Sequence, residues 1–215
     1  MIVLALDTTS ATGSLAVRRN GETIRETALC SPEGFAHLLF PAIEQILTHL
    51  GIRLEDVDCF AAASGPGAFT GIRIGLSAVK GLAEALSKRA AGISNLRAMA
   101  SYGKSARRAV VADARRGEVF AAVYDARGTA VAPEVVTKLS AWLETLDPPA
   151  NEFIAPASFR PLLGQALVTE APQNLAAAVA LCAEHDMLAG HLSDPAALDA
   201  NYVRRSDAEL FWKDR

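Results

Sequence analysis

One pattern, occurring twice, constrains what this chain can fold into: an apolar strand that ends on an aspartate, a polar turn, and a second strand. Residues 2–6 are an unbroken apolar run ending on Asp7, which reads as a buried strand with an acid at its carboxyl end. Thr8, Thr9 and Ser10 turn the chain, and short strands at 14–17 and 23–29 flank Asn20-Gly21, a strong hairpin signal. The chain therefore opens as a three-stranded meander. Residues 109–111 run into Asp113, turn through Arg115-Arg116-Gly117 and continue as a strand over 118–124, so the opening is replayed.

The intervening segments fit the same scheme. Ser31 as N-cap and Pro32 at the first helical position predict a helix over 32–50, stopped by Gly51. A strand at 57–63, a glycine-rich turn at 64–70, a helix at 71–88 and a short strand at 91–93 give the first half the order βββαβαβ. The second half continues with a strand at 131–137, a helix from 140, a strand at 153–155, a short helix near 158 and a helix over 174–189, with loops at 147–149 and 171–172. This order predicts an α/β protein of two related lobes, residues 1–100 and 101–215, joined near 95–103. The extreme C-terminus is expected to pack back on the first lobe.

Composition narrows the function. Of 215 residues, 51% are hydrophobic and 21% charged, which suits a packed core and not a disordered chain. The longest apolar run, 175–183, falls well short of the ~20 residues that a bilayer-spanning helix needs. No membrane association is expected, and residues 1–7 lack the positive flank of a secretory signal, so the expected location is cytoplasmic. A net charge of −3 gives no field that would draw a phosphate backbone to this chain alone. Cys30, Cys59 and Cys182 are too few and too scattered for a disulfide framework and read as small hydrophobes. Trp142 and Trp212 read as packing residues.

Three constellations could carry chemistry. The turn from Ser64 to Gly71 lies between strand and helix, where Gly65 and Gly67 could expose amides to an anion; the alternative is a tight turn with close strand-to-helix packing. Its glycines match neither a dinucleotide fingerprint nor a P-loop. Asp7 and Asp113, each ending the first strand of its lobe, would face one cleft where a magnesium-bound phosphate could sit; strand-end acids also serve as turn formers. The four histidines, His37, His49, His185 and His191, make no HxxxH or HExxH pattern, so no metal site is expected, and no catalytic residue is identified.

The two first-half helices are more informative. On 32–50 the apolar residues cover an arc of roughly 200°, against somewhat more than 100° for a surface helix. On 71–88 the charged residues occupy a narrow strip, while Gly71, Gly75, Ala78 and Gly81 permit close approach. Burial in one large core is one account; a surface for another subunit is the other. Leu38, Leu39, Phe40, Ile74, Ala78 and Leu82 are the candidate interface residues.

Four stretches resemble the bacterial TsaB (YeaZ) family: Leu4-Ala5-Leu6-Asp7-Thr8-Thr9-Ser10, the glycine-rich segment 64–76, Lys80-Gly81-Leu82-Ala83, and Asp113-Ala114-Arg115-Arg116-Gly117-Glu118-Val119-Phe120. Asn201-Tyr202-Val203-Arg204 is similar to the family's carboxyl-terminal Tyr-x-Arg element. The resemblance implies an actin-like, RNase H-like fold of the ASKHA superfamily, two lobes each a βββαβα mixed sheet with helices. It implies a non-catalytic subunit that pairs with the paralogue TsaD, works with the ATPase TsaE, and forms a homodimer in the absence of TsaD. Together they transfer a threonylcarbamoyl group to N6 of the adenosine beside the tRNA anticodon, with tRNA reached only through the complex. In TsaD the metal-binding histidines follow the same glycine-rich helix; the corresponding stretch here, Asn95-Leu96-Arg97-Ala98-Met99, has neither. No cofactor is expected in this chain's own cleft, and ATP, if held, belongs at the interface of the complex. The alternative function is a free-standing ATP-dependent phosphotransferase using Asp7 and Asp113.

Overall fold

The computed structural model describes residues 1–146, 152–192 and 194–204. Strand β1 (Ile2–Asp7) pairs antiparallel with β2 (Thr12–Arg19), and Asn20 and Gly21, both at positive φ, return the chain into β3 (Glu22–Cys30). Helix α1 (Leu39–His49) leads to β4 (Cys59–Gly65), which lies parallel to β1. Helix α2 (Phe69–Leu86) then connects β4 to the parallel β5 (Arg89–Ser94). The sheet order is β3-β2-β1-β4-β5.

A second five-stranded sheet repeats this arrangement. β6 (Arg107–Asp113), β7 (Val119–Asp125) and β8 (Ala130–Thr137) form the meander; β9 (Glu152–Ala155) runs parallel to β6, and β10 (Val168–Glu170) parallel to β9. Its order, β10-β9-β6-β7-β8, is that of the first sheet strand for strand. The connections are reduced. Six-residue α4 (Leu139–Glu144) follows β8, and a short 3-10 helix at Ala157–Leu162 takes the place between β9 and β10 that the 18 residues of α2 take in the first sheet.

Alternation along the strands sorts the core. Leu4, Leu6, Phe60 and Ala62 face α1 and α2, while Val3, Ala5, Cys59, Ala61 and Ala63 face the opposite side. That second face is built of small side chains, and against it lies α5 (Ala176–Leu188) with Ala178, Val179, Cys182 and Ala183. α5 comes from the second half of the sequence yet packs on the first sheet. Glu184 of α5 pairs with the Arg18 guanidinium and accepts the Gly21 amide at 2.9 Å. The Asp186 carboxylate takes both Arg97 terminal nitrogens, at 2.6 and 2.7 Å.

One expectation needs correction. The helix predicted over 32–50 begins at Leu39, because Gly34 sits at φ +90°, its amide closes a turn onto the Ser31 carbonyl, and the Ser31 hydroxyl accepts the Glu33 amide. Ser31 therefore supports a turn and does not cap a helix. The segment 95–103, between β5 and β6, includes a helix, α3 (Asn95–Ala100), capped by the Ser94 hydroxyl. Its Leu96, Met99 and Ala100 are buried with Val110, Tyr124 and Ile154 of the second sheet. Trp142 is buried, and Trp212 lies outside the described residues, as do residues 147–151 and the chain beyond 204. Among the described residues no helix is long and apolar enough to cross a membrane.

Candidate functional site at the glycine-rich turn

The turns after β1 and β4 lie side by side at the carboxyl ends of their strands, the position where open α/β sheets bind ligands. Here they meet at backbone distance. A Cβ on Gly71 would stand 1.8 Å from the Thr8 carbonyl oxygen, one on Gly67 2.6 Å from the Thr9 carbonyl oxygen, and one on Gly75 2.8 Å from the Thr8 hydroxyl. The glycines are required by this contact. The Thr8 hydroxyl donates to the Gly71 carbonyl at 2.7 Å and the Ala68 amide donates to the Thr9 carbonyl at 2.7 Å, so the two turns are stitched together.

A directed chain of hydrogen bonds runs through this junction. The Gly65 amide donates to Asn95 Oδ1 at 3.0 Å, Asn95 Nδ2 donates to the Thr9 hydroxyl at 2.6 Å, and that hydroxyl donates to Asp7 Oδ1 at 2.6 Å. Asp7 also accepts the Thr9 amide at 2.9 Å. Asp7, Thr9 and Asn95 are all buried, and each donor in the chain polarises the next.

Asp7 has a second task. The Leu175 amide bonds to its carboxylate, the Ala176 amide donates to the Ser14 hydroxyl at 3.1 Å, and the Ala177 amide donates to Glu26 at 2.9 Å. These are successive amides at the start of α5, whose own N-cap, Leu175, supplies no side-chain cap. Side chains from β1, β2 and β3 thus satisfy the positive end of a helix contributed by the other half of the sequence. Burial raises the Asp7 carboxyl above its ordinary range, partly offset by the Thr9 hydroxyl, the Thr9 amide and the Leu175 amide. Glu26 is raised too, first by burial.

Asp113 is placed differently. It is exposed, accepts the Arg115 amide at 2.7 Å and pairs with the Arg115 guanidinium at 3.4 Å, bracing a turn in which Arg115, Arg116 and Gly117 all have positive φ. The two strand-end acids occupy equivalent places in their sheets, but one is a buried helix cap and the other a surface turn former. Gly65, at φ +110°, is covered from outside: its Cβ would stand 2.8 Å from the Asn201 carbonyl oxygen, and the Asn201 amide donates to the Ser64 carbonyl at 2.8 Å. Among the described residues a cavity of about 590 Å³ opens beside Thr12 and Phe35 and another of about 370 Å³ along α2; neither of these is lined by Asp7, Gly65, Gly67 or Asp113.

Of the six residues read as interface, Leu39 and Ala78 are buried in the core of the chain itself, in one cluster with Ile43, Ile46 and Val79. Leu38, Ile74 and Leu82 are half-buried, and Phe40 is 53% exposed. The sequence reading missed Phe69, which is 47% exposed at the start of α2. The Arg73 guanidinium lies 3.8 Å above its ring, and the Tyr202 ring stacks on it at 5.4 Å. The spacing of Phe69 and Arg73, one helical turn apart, was the available signal.

All four histidines are exposed, and among the described residues no three His, Cys, Asp or Glu side chains gather as a metal-ligand group. Cys59 and Cys182 are buried thiols, pushed up to about 12 and about 11 chiefly by burial.

Comparison with known proteins places this geometry. Residues 32–188 match the family model described as TsaD, tRNA N6-adenosine threonylcarbamoyltransferase. The tRNA threonylcarbamoyladenosine biosynthesis protein TsaB of Escherichia coli K12 is 37% identical over 128 residues, covering 58% of this chain and 55% of that protein. TsaB of Bacillus subtilis 168 is 30% identical over 151 residues, covering 68% and 66%. The matched regions therefore span little more than half to just under two thirds of these relatives. A solved Pseudomonas aeruginosa structure, described as an uncharacterized protein similar to the peptidase YeaZ, superposes with a TM-score of 0.79 at 25% identity, covering 94% of this chain and 99% of that one.

Proposed function

The chain belongs to the TsaD family and resembles its TsaB (YeaZ) members in sequence and in fold, and from that premise we propose that it is a non-catalytic subunit of the machinery that modifies tRNA. In this reading it pairs with a TsaD paralogue, works with TsaE, and supports transfer of the threonylcarbamoyl group to N6 of the adenosine beside the anticodon. It meets tRNA only through the complex, forms a homodimer when TsaD is absent, and acts in the cytoplasm. Its two lobes, 1–100 and 101–215, are of the actin-like, RNase H-like kind, a reading supported by their common strand order.

The observation that carries the proposal is the filling of the junction between the β1 and β4 turns by the chain's own groups. The amides of Gly65 and Ala68 bond within the protein, and Asp7 caps a helix. Asp7, which a phosphotransferase would spend on a nucleotide and its metal, is spent here on the start of α5, and Asp113 on bracing a surface turn. Asn95 and Met99, in the stretch where TsaD carries histidines, are a hydrogen-bond bridge and a core side chain. Any ATP would then belong at the interface with the partner. The exposed apolar groups of α1 and α2, Phe40 and Phe69 with the half-buried Ile74 and Leu82, supply the surface.

The test is solution mass by light scattering, for the chain alone and mixed with TsaD from the same organism. A one-to-one heterodimer is the expected result. Replacing Phe40 or Ile74 with Asp should weaken pairing by about 30-fold, the scale of an interface hot spot, with an unchanged circular dichroism spectrum. Failure of the wild type to associate at micromolar concentration, together with tight ATP binding by the chain alone, would overturn the reading in favour of a phosphotransferase.

A further inference from the structure

Residues 194–204 lie across both sheets and touch each of them through named contacts. The segment begins with a 3-10 turn at Pro195–Ala197, capped by Asp194, and Lys80 of α2 donates to the Ala196 carbonyl at 3.3 Å. Leu198 and Ala200 pack against the core beneath α1 and α2. Asn201 then joins the two halves: its amide goes to Ser64 at the end of β4, and its Nδ2 donates to Glu134 of β8 at 2.7 Å. The same Glu134 carboxylate accepts the Tyr124 hydroxyl at 2.5 Å and the Ser94 hydroxyl at the end of β5. Tyr202 stacks on Phe69 and accepts from Arg73 Nε at 3.1 Å, whereas Arg204 pairs with Glu118 and lies 5.9 Å above the Phe120 ring of β7.

We propose that this segment is a strap that sets the closure of the two lobes and, in the same act, fixes Phe69 and Arg73 at the edge of the partner-facing helix. The second part rests on the subunit reading given above. Tyr202 and Arg204 divide the work. Tyr202 immobilises an exposed aromatic and an exposed arginine on α2, the residue types that dominate interface energetics when held in place. Arg204 anchors the end of the strap to the second sheet by a charge-assisted bond. A change at Arg204 or Asn201, whose side chains reach Glu118 and Glu134 of the second half, therefore alters how α2 is presented.

The experiment uses the full chain with Cys30→Ser and spin labels at two exposed helical positions, Glu84 on α2 and Ser140 on α4. The wild type should give one narrow distance distribution, and the double variant Asn201→Ala, Arg204→Ala a broader one. The double variant should also bind TsaD about tenfold more weakly, the equivalent of one charge-assisted hydrogen bond. Equal distributions for the two chains overturn the strap. Broadening with unchanged affinity overturns its coupling to the partner surface. A wild type that fails to pair at all strikes the subunit reading alone, and the distance measurement still decides the strap. If the double variant loses its fold, Tyr202→Ala carries the test at a half-exposed ring: amide exchange at residues 69–73 should quicken while that of β6 stays the same, and identical exchange at 69–73 overturns the strap.

Discussion

Two glycines of α2, ten residues apart, stand in opposite situations. Gly71 presses against the Thr8 carbonyl, whereas nothing lies within 4 Å of a Cβ placed on Gly81. Replacing Gly71 with Ala should cost about 3 kcal/mol or more, since backbone and not a flexible side chain must yield. Gly81→Ala should instead stabilise the chain by about 0.5–1 kcal/mol, through helix propensity and a less mobile unfolded state. Urea denaturation of the two variants checks both signs. Asp7 carries a pH signature of its own. Its carboxyl is raised in the fold, so its favourable contribution is full below the ordinary 3.8 and is lost as pH rises through the folded value. Asp7→Asn removes that dependence, and its stability relative to wild type should improve as pH rises from the ordinary 3.8 through the raised folded value. The acid at the end of the first strand was legible in the sequence. Its role was not, because the amides it caps come from the far end of the chain, around residue 175, and no local pattern records that meeting.

Helices repeat the lesson one level up. α2 was legible because its apolar residues recur at helical spacing and its glycine-rich lead-in follows an apolar strand; its observed bounds differ by two residues from those expected. α1 was misplaced at its start because Ser31-Pro32 is an equally good turn signal, and Gly34 at positive φ decides for the turn. The C-cap of α2, Ser87, is left-handed, a conformation that glycine adopts without strain. Ser87→Gly should therefore raise stability by about 0.5 kcal/mol, read as a shift in the urea midpoint at unchanged slope. α5 is held by Glu184. Burial pulls its carboxyl upward, but the Arg18 side chain and the Gly21 amide outweigh it and leave it lowered. Its contribution is present above the ordinary 4.5 and fades as pH falls through the folded value. Glu184→Gln should cost about 2 kcal/mol at neutral pH and much less in acid.

At the scale of the whole molecule, the twofold repetition of strand order was readable because each sheet opens with the same strand, acid, turn and strand. The crossing of α5 from one half of the sequence to the other sheet was not, since an alanine-rich helix carries no mark of which sheet its neighbours belong to. The candidate interface was legible as surplus apolar arc, but the sequence could not divide that arc between core and surface. Leu39 and Phe40 are adjacent in the chain and take opposite fates, one buried and one exposed.

That crossing governs how the protein can be made. Synthesis proceeds from the amino terminus, and domains fold as their parts emerge. The face of the first sheet formed by Val3, Ala5, Cys59, Ala61, Ala63 and Ile93 is completed only when residues 176–188 arrive. Throughout the translation of the second half, the nascent first sheet carries one covered side and one bare apolar side. A ribosome that stalls before residue 176 would leave a sticky, half-dressed sheet for chaperones to hold, and the first 100 residues expressed by themselves should go to the insoluble fraction.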